Sequence, residues 1–175
     1  LKKRITRLPG KMKGQGRNRE RPPLSFKYAL WGCVSGMAGV LAIMAVTRMA
    51  GHPLLIGSFG ASAVLLFGAA ESPFAQPRNL VGGHLVSAVA AVAVTAWLGS
   101  GPVAVALAVG AATLLMYLTR TIHPPGGATA LIGVQGHAGL SFLVDPVLTG
   151  ALILLTVALF TNNIVQHRHY PEQWW

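Results

Sequence analysis

At 175 residues the chain has room for one domain, and its composition excludes a water-soluble one: 53% of residues are hydrophobic and 10% charged, where soluble proteins average about 25% charged. Near-uncharged stretches of 16 to 21 residues are long enough to cross a hydrocarbon core of about 30 Å, so the sequence describes an all-α integral membrane protein with several spans. The formal charge of +10 is concentrated, because residues 1–27 hold ten of the fourteen basic side chains and one acid, Glu20, leaving +1 on the other 148 residues.

In chain order, residues 1–27 read as a basic cytoplasmic arm, 28–165 as the transmembrane domain and 166–175 as a cytoplasmic tail. Lys and Arg are retained on the cytoplasmic side of membranes, which places both ends inside. A nucleic-acid-binding arm would also be basic, but this one lacks interleaved aromatics and runs straight into an apolar helix. No nucleic acid is expected as a partner. The chain starts at Leu1, and the long polar stretch before the first apolar run does not resemble a cleavable signal. The single cysteine, Cys33, lies inside that run and is expected to be buried in packing.

Four segments form the secure spans. Residues 28–47 carry no charge and end at Arg48, with Trp31 near the headgroup level. Gly32, Ser35, Gly36 and Gly39 share one face of that helix and let a neighbour approach closely. Residues 80–98 are interrupted only by His84, and 102–119 and 146–165 complete the set. Pro102 and Pro146 suit the first turn of a helix, where a missing N–H is tolerated.

Two stretches between these spans are apolar but broken by Pro, Gly, Ser and Thr: HPLLIGSFGASAVLLFGAA over 52–70 and HPPGGATALIGVQ over 123–135. They resemble each other. His52-Pro53 parallels His123-Pro124, Gly60 to Leu65 parallels Gly127 to Ile132, and Pro77 parallels Pro146, at offsets of 71, 67 and 69 residues. Internal duplication is the reading, with chance similarity of Ala/Gly-rich segments as its alternative. Discontinuous helices at matched positions point to a transport site near the midplane. If the two stretches re-enter, there are four spans; if they cross, there are six, in two three-helix units of opposite orientation.

SFGASAVLLFG (58–68), FAQPRNLVGGH (74–84), TRTIHPPGGATALI (119–132) and DPVLTGA (145–151) together resemble the HPP family of integral membrane proteins, whose His-Pro-Pro motif stands here as His123, Pro124 and Pro125. The resemblance implies a membrane domain of four transmembrane segments and a role in nitrite transport, as described for members in bacteria and plastids. It makes the bacterial inner membrane the expected location. Many members have Ala where this chain has Gly126, a departure expected to loosen the start of the helix.

The residues suit an anion on their own chemistry. A helix starting at Pro124-Pro125 would present N–H groups of Gly126, Gly127 and Ala128 and the positive end of its dipole, with the Thr129 hydroxyl one turn in. Ser58, Gly60, Ala61 and Ser62 offer the same elements in the first copy. Arg78, beside Asn79, and Arg120 flank the broken segments, and a guanidinium fork matches a planar oxyanion with two parallel hydrogen bonds. The plainer alternatives are tight helix crossing for the glycines and snorkelling to lipid phosphates for the arginines. Arg48 reads as such an anchor, and Asp145 as a helix cap.

Four histidines, His52, His84, His123 and His137, lie in the core region. Their nearest spacing is fourteen residues and no HExxH or paired-carboxylate pattern exists, so neither a metal nor another cofactor is expected. His84, within a span, is the candidate proton carrier. No nucleophile–base pair of hydrolase type is written in the chain, which is not expected to be an enzyme. The expected function is passage of a small monovalent anion, nitrite from the family resemblance, by a facilitator or a proton-coupled route. The expected surroundings are lipid and a homo-oligomer, since Gly/Ala-rich faces on so small a bundle call for partners. An assembly subunit using its basic arm, and an intramembrane metalloenzyme, are the alternatives from other classes.

Overall fold

The computed structural model describes residues 25–49, 51, 56–164 and 169–175. Most of the basic arm, and the His52-Pro53 pair, lie outside the described residues. Among the described residues the fold is all-helical, with six α-helices: α1 Phe26–Met49, α2 Gly57–Gly68, α3 Pro77–Leu98, α4 Pro102–Leu118, α5 Pro125–Gln135 and α6 Thr149–Ile164. A 3₁₀ turn, Pro73–Ala75, leads into α3, and a wide turn, Leu143–Leu148, leads into α6 with an extended residue at Asp145.

Three helical stretches are long and apolar enough to cross a bilayer: Phe26–Met49, Pro77–Leu98 and Leu143–Ile164. The remaining expected span, 102–119, is α4, which ends one residue earlier at Leu118; its 17 residues, about 25 Å at 1.5 Å per residue, fall just short of the other three. α2 and α5, with 12 and 11 residues, are about 18 and 17 Å long, as broken segments should be.

α1 uses its small-residue face as expected. A β-carbon at Gly32 would stand 3.0 Å from the Phe67 carbonyl oxygen, and one at Gly39 would stand 3.0 Å from both Phe67 and Leu154 side-chain atoms. α1 therefore seats on α2 and α6, and the Trp31 indole donates to the Thr161 carbonyl at 3.0 Å. Cys33 departs from expectation: it is exposed, because the glycine face beside it takes the inward direction. Asp145, expected as a cap, stands in extended backbone before α6, at φ −126° and ψ 116°.

Side-chain contacts sort the ends of the helices. At one end, Asn162 of α6 donates to the Leu66 carbonyl of α2 at 3.1 Å, and Arg78 of α3 donates to the Thr119 carbonyl after α4 at 2.9 Å. The 170–173 stretch packs on the same end: Tyr170 donates its hydroxyl to the Ala75 carbonyl at 2.8 Å, and Gln76 Oε1 accepts from the Glu172 N–H at 2.9 Å. Ser100, after α3, and His137, after α5, meet at 3.2 Å at the ends remote from Pro77 and Pro125.

Candidate functional site

Five polar side chains are fully buried where α2, α3, α5 and the chain before α5 meet: Ser58, Ser62, His84, His123 and Thr129, each with 0% exposure. They form one connected network. Ser62 Oγ lies 2.8 Å from His84 Nε2 and 2.8 Å from His123 Nε2. His84 Nδ1 lies 2.7 Å from Thr129 Oγ1, which donates to Ser58 Oγ at 2.9 Å. His123 Nδ1 faces the Phe74 carbonyl at 2.8 Å. The two imidazoles lie 4.8 Å apart by centroid, and Phe59 closes the pocket with its ring edge-on to His84 at 5.2 Å.

The local sequence explains how a non-helical stretch reaches this depth. Gly82 and Gly83 remove the side chains where Thr121 and His123 lie on α3. A β-carbon at Gly83 would stand 2.8 Å from the Thr121 carbonyl oxygen. Asn79 secures the same stretch by donating to the Ile122 carbonyl at 2.8 Å. α4 ends in two capping bonds, Arg120 N–H to the Tyr117 carbonyl at 3.2 Å and Thr121 N–H to the Met116 carbonyl at 2.9 Å. This is a Schellman ending, with Arg120 at the left-handed position normally taken by glycine, at φ 56°.

A separate cleft of about 560 Å³ has Phe74, Asn79, Arg120, Ile122 and Gln173 in its wall. Phe74 links the two, since its carbonyl faces His123. Arg120 is exposed at the rim, and Arg78 is half-buried beside it.

The predicted residues thus divide into groups. Ser58, Ser62, Thr129, His84 and His123 come together in the core, while Asn79, Arg78 and Arg120 gather at the rim. Gly60 joins neither group. It faces outward in an apolar groove between α1 and α2. The start of α5 differs from expectation too. Gly126 N–H is bonded to the His123 carbonyl at 2.8 Å and Gly127 N–H to the Pro124 carbonyl at 3.1 Å, so these donors are spent within the turn. Gly126 instead lets α5 press onto α3, where a β-carbon would meet Ser87 Oγ at 2.7 Å and the Gly83 carbonyl at 2.9 Å. That is tighter packing rather than a loosened helix start. His137 sits apart with Ser100. Among the described residues, no group of three or more His, Cys, Asp or Glu side chains gathers as metal ligands would.

Sequence reasoning did not find the bridging position of Ser62 or the docking role of Gly82-Gly83. The second was signalled by the glycine pair immediately before the one ionisable residue of a span.

Residues 21–171 match the transmembrane region that defines the HPP family. A transmembrane protein of Dictyostelium discoideum is 41% identical over 174 residues, covering 93% of this chain and 61% of the relative. A second transmembrane protein of the same organism is 45% identical over 157 residues, covering 83% of this chain and 50% of the relative. The chain therefore spans between half and three fifths of the length of these curated relatives. No solved structure matches. With the motif His123-Pro124-Pro125 delivering its histidine to the centre of a membrane-type helical bundle, the chain belongs to the HPP transmembrane family.

Proposed function

We propose that this chain carries a small monovalent anion, nitrite in the first instance, across the membrane. One observation carries the reading: five polar side chains, wholly buried, join end to end, and Phe74 ties them to a cleft that has an arginine in its wall. Uncompensated polar groups are expensive at membrane depth and are kept there for function. Two short helices, α2 and α5, frame the network, as discontinuous helices frame the sites of transporters. Arg120 offers the planar fork that a planar oxyanion fits, and the residues below it change from rim cation to neutral donors and acceptors.

The same reading takes all six helical segments as crossings, arranged as two inverted three-helix units, 26–98 and 102–164, with both ends of the domain in the cytoplasm. The pairing of Asn162 with Leu66, Arg78 with Thr119 and Ser100 with His137 supports that alternation. In the second unit the crossing is made by a non-helical stretch, 119–124, followed by α5.

Nitrite flux into liposomes, normalised to reconstituted protein, tests the reading. Arg120→Lys keeps the charge and loses the fork, and a charge-assisted bond contributes about 1.5–3 kcal/mol. Apparent affinity should fall on the order of tenfold or more. Arg48→Lys should match the wild type, because a snorkelling anchor is satisfied by either cation. Equal affinity in the Arg120 and Arg48 variants would leave Arg120 as a topology anchor and remove the rim site.

A further inference from the structure

Hydrogen counting around Ser62 comes out one short. The Phe74 carbonyl can only accept, so His123 Nδ1, 2.8 Å away, carries a hydrogen. Thr129 gives its single hydroxyl hydrogen to Ser58 Oγ, so His84 Nδ1, 2.7 Å from Thr129 Oγ1, carries one as well. A neutral imidazole holds one N–H, which leaves both Nε2 atoms as bare acceptors. Both face Ser62 Oγ at 2.8 Å, and the Ser58 carbonyl is a third acceptor at 3.1 Å. One hydroxyl hydrogen meets three acceptors in a fully buried pocket.

We propose that His84, Ser62 and His123 form a single proton-binding site that takes up one proton together with the transported anion. The inference rests on the anion reading above and assigns its coupling ion. The added proton bonds to one Nε2, whose N–H then donates to Ser62 Oγ, while the Ser62 hydroxyl donates to the other Nε2. Transfer of that N–H hydrogen to Ser62, with the hydroxyl hydrogen passing to the second ring, moves the charge between the rings with every atom accounted for. A second proton is excluded by repulsion between two cations whose rings are 4.8 Å apart.

The surroundings explain why proton and anion enter together. α2 presents Ser58, Ser62 and Phe59 to the pair, α5 presents Thr129, and the 3₁₀ turn presents the Phe74 carbonyl. None is charged. Arg78 on α3 is turned to the Thr119 carbonyl and Arg120 is exposed at the rim. Of the described acids, Glu71 and Glu172 are exposed and Asp145 lies at the far end of α6 from Asn162. A buried imidazolium without an opposite charge is strongly disfavoured, and a monovalent anion supplies that charge. The pair of ions is electroneutral, so the membrane potential neither drives nor opposes its movement.

The full chain in lipid nanodiscs, labelled with ¹⁵N in its imidazoles and assigned with His84→Gln and His123→Gln, tests the site. Before nitrite is added, both rings should be neutral with hydrogen on Nδ1. Adding sodium nitrite in weakly buffered solution should draw about one proton per bound anion, and Ser62→Ala should reduce nitrite affinity about tenfold or more. Hydrogen on Nε2 of His84 at the outset would mean that Ser58 donates to Thr129 and the network is already complete, which overturns the site. Nitrite binding without proton uptake overturns the coupling and leaves the anion reading standing. Absence of nitrite binding overturns the joint uptake and the anion reading together, while the tautomers still decide whether the pair is one proton short.

Discussion

Arg120 shows what a single residue contributes. A left-handed backbone costs an L-residue about 1–2 kcal/mol relative to the right-handed form, and glycine would remove that cost at the end of α4. Arg120→Gly should therefore raise thermal stability in detergent by about 1 kcal/mol while abolishing the high-affinity phase of nitrite flux. Lower stability in that variant would mean that the side chain holds the helix end. Gly83 is the opposite case. Gly83→Ala drives a β-carbon against the Thr121 carbonyl and should destabilise by about 1–3 kcal/mol. Gly127→Ala, with no neighbour within 4 Å, should be neutral or slightly stabilising in the same assay. The sequence marked both arginines and both histidines as chemistry-bearing, because ionisable residues are rare in apolar segments. It could not separate Gly126 and Gly127 as donors from glycines that permit packing, since both uses call for the same residue.

At the scale of elements, hydrophobic runs made the long helices legible, and Gly32, Gly36 and Gly39 told correctly which face of α1 turns inward. The end of α4 is legible to within one residue, where Arg120 follows the apolar run, but its Schellman form is not, because that ending sits on an arginine instead of a glycine. The sequence marks 166–175 only as a cytoplasmic tail. Tyr170 is buried against the link between α2 and α3, and burial pushes its phenol well above the usual value. A phenol held protonated by docking contributes fully below the undocked value of about 10 and loses that contribution as pH rises past it. A fluorophore on Gln173→Cys in a Cys33→Ser background should report release of the stretch above that pH. Tyr170→Phe loses the bond to the Ala75 carbonyl, about 1 kcal/mol, and should release it more readily at neutral pH. An unchanged signal in both conditions would show that Tyr170 does not hold the stretch down.

For the whole molecule, opposed broken helices were visible as a repeated motif, but whether they cross depends on which ends meet, and that is a tertiary fact. In the Cys33→Ser background, single cysteines at Glu71 and Gln173 should label from the cytoplasmic side and one at Gly139 from the other. Labelling of Glu71→Cys and Gln173→Cys from opposite sides would dismantle the six-crossing arrangement. The central claim, passage of nitrite through the domain, is tested most directly by ¹⁵N-nitrite uptake into proteoliposomes across a range of concentrations at pH 8, with the leak of nitrous acid through protein-free liposomes subtracted. The account predicts saturable, protein-dependent uptake that Ser62→Ala and Arg120→Lys each weaken. Uptake that rises linearly and equals the protein-free control at every concentration would contradict it.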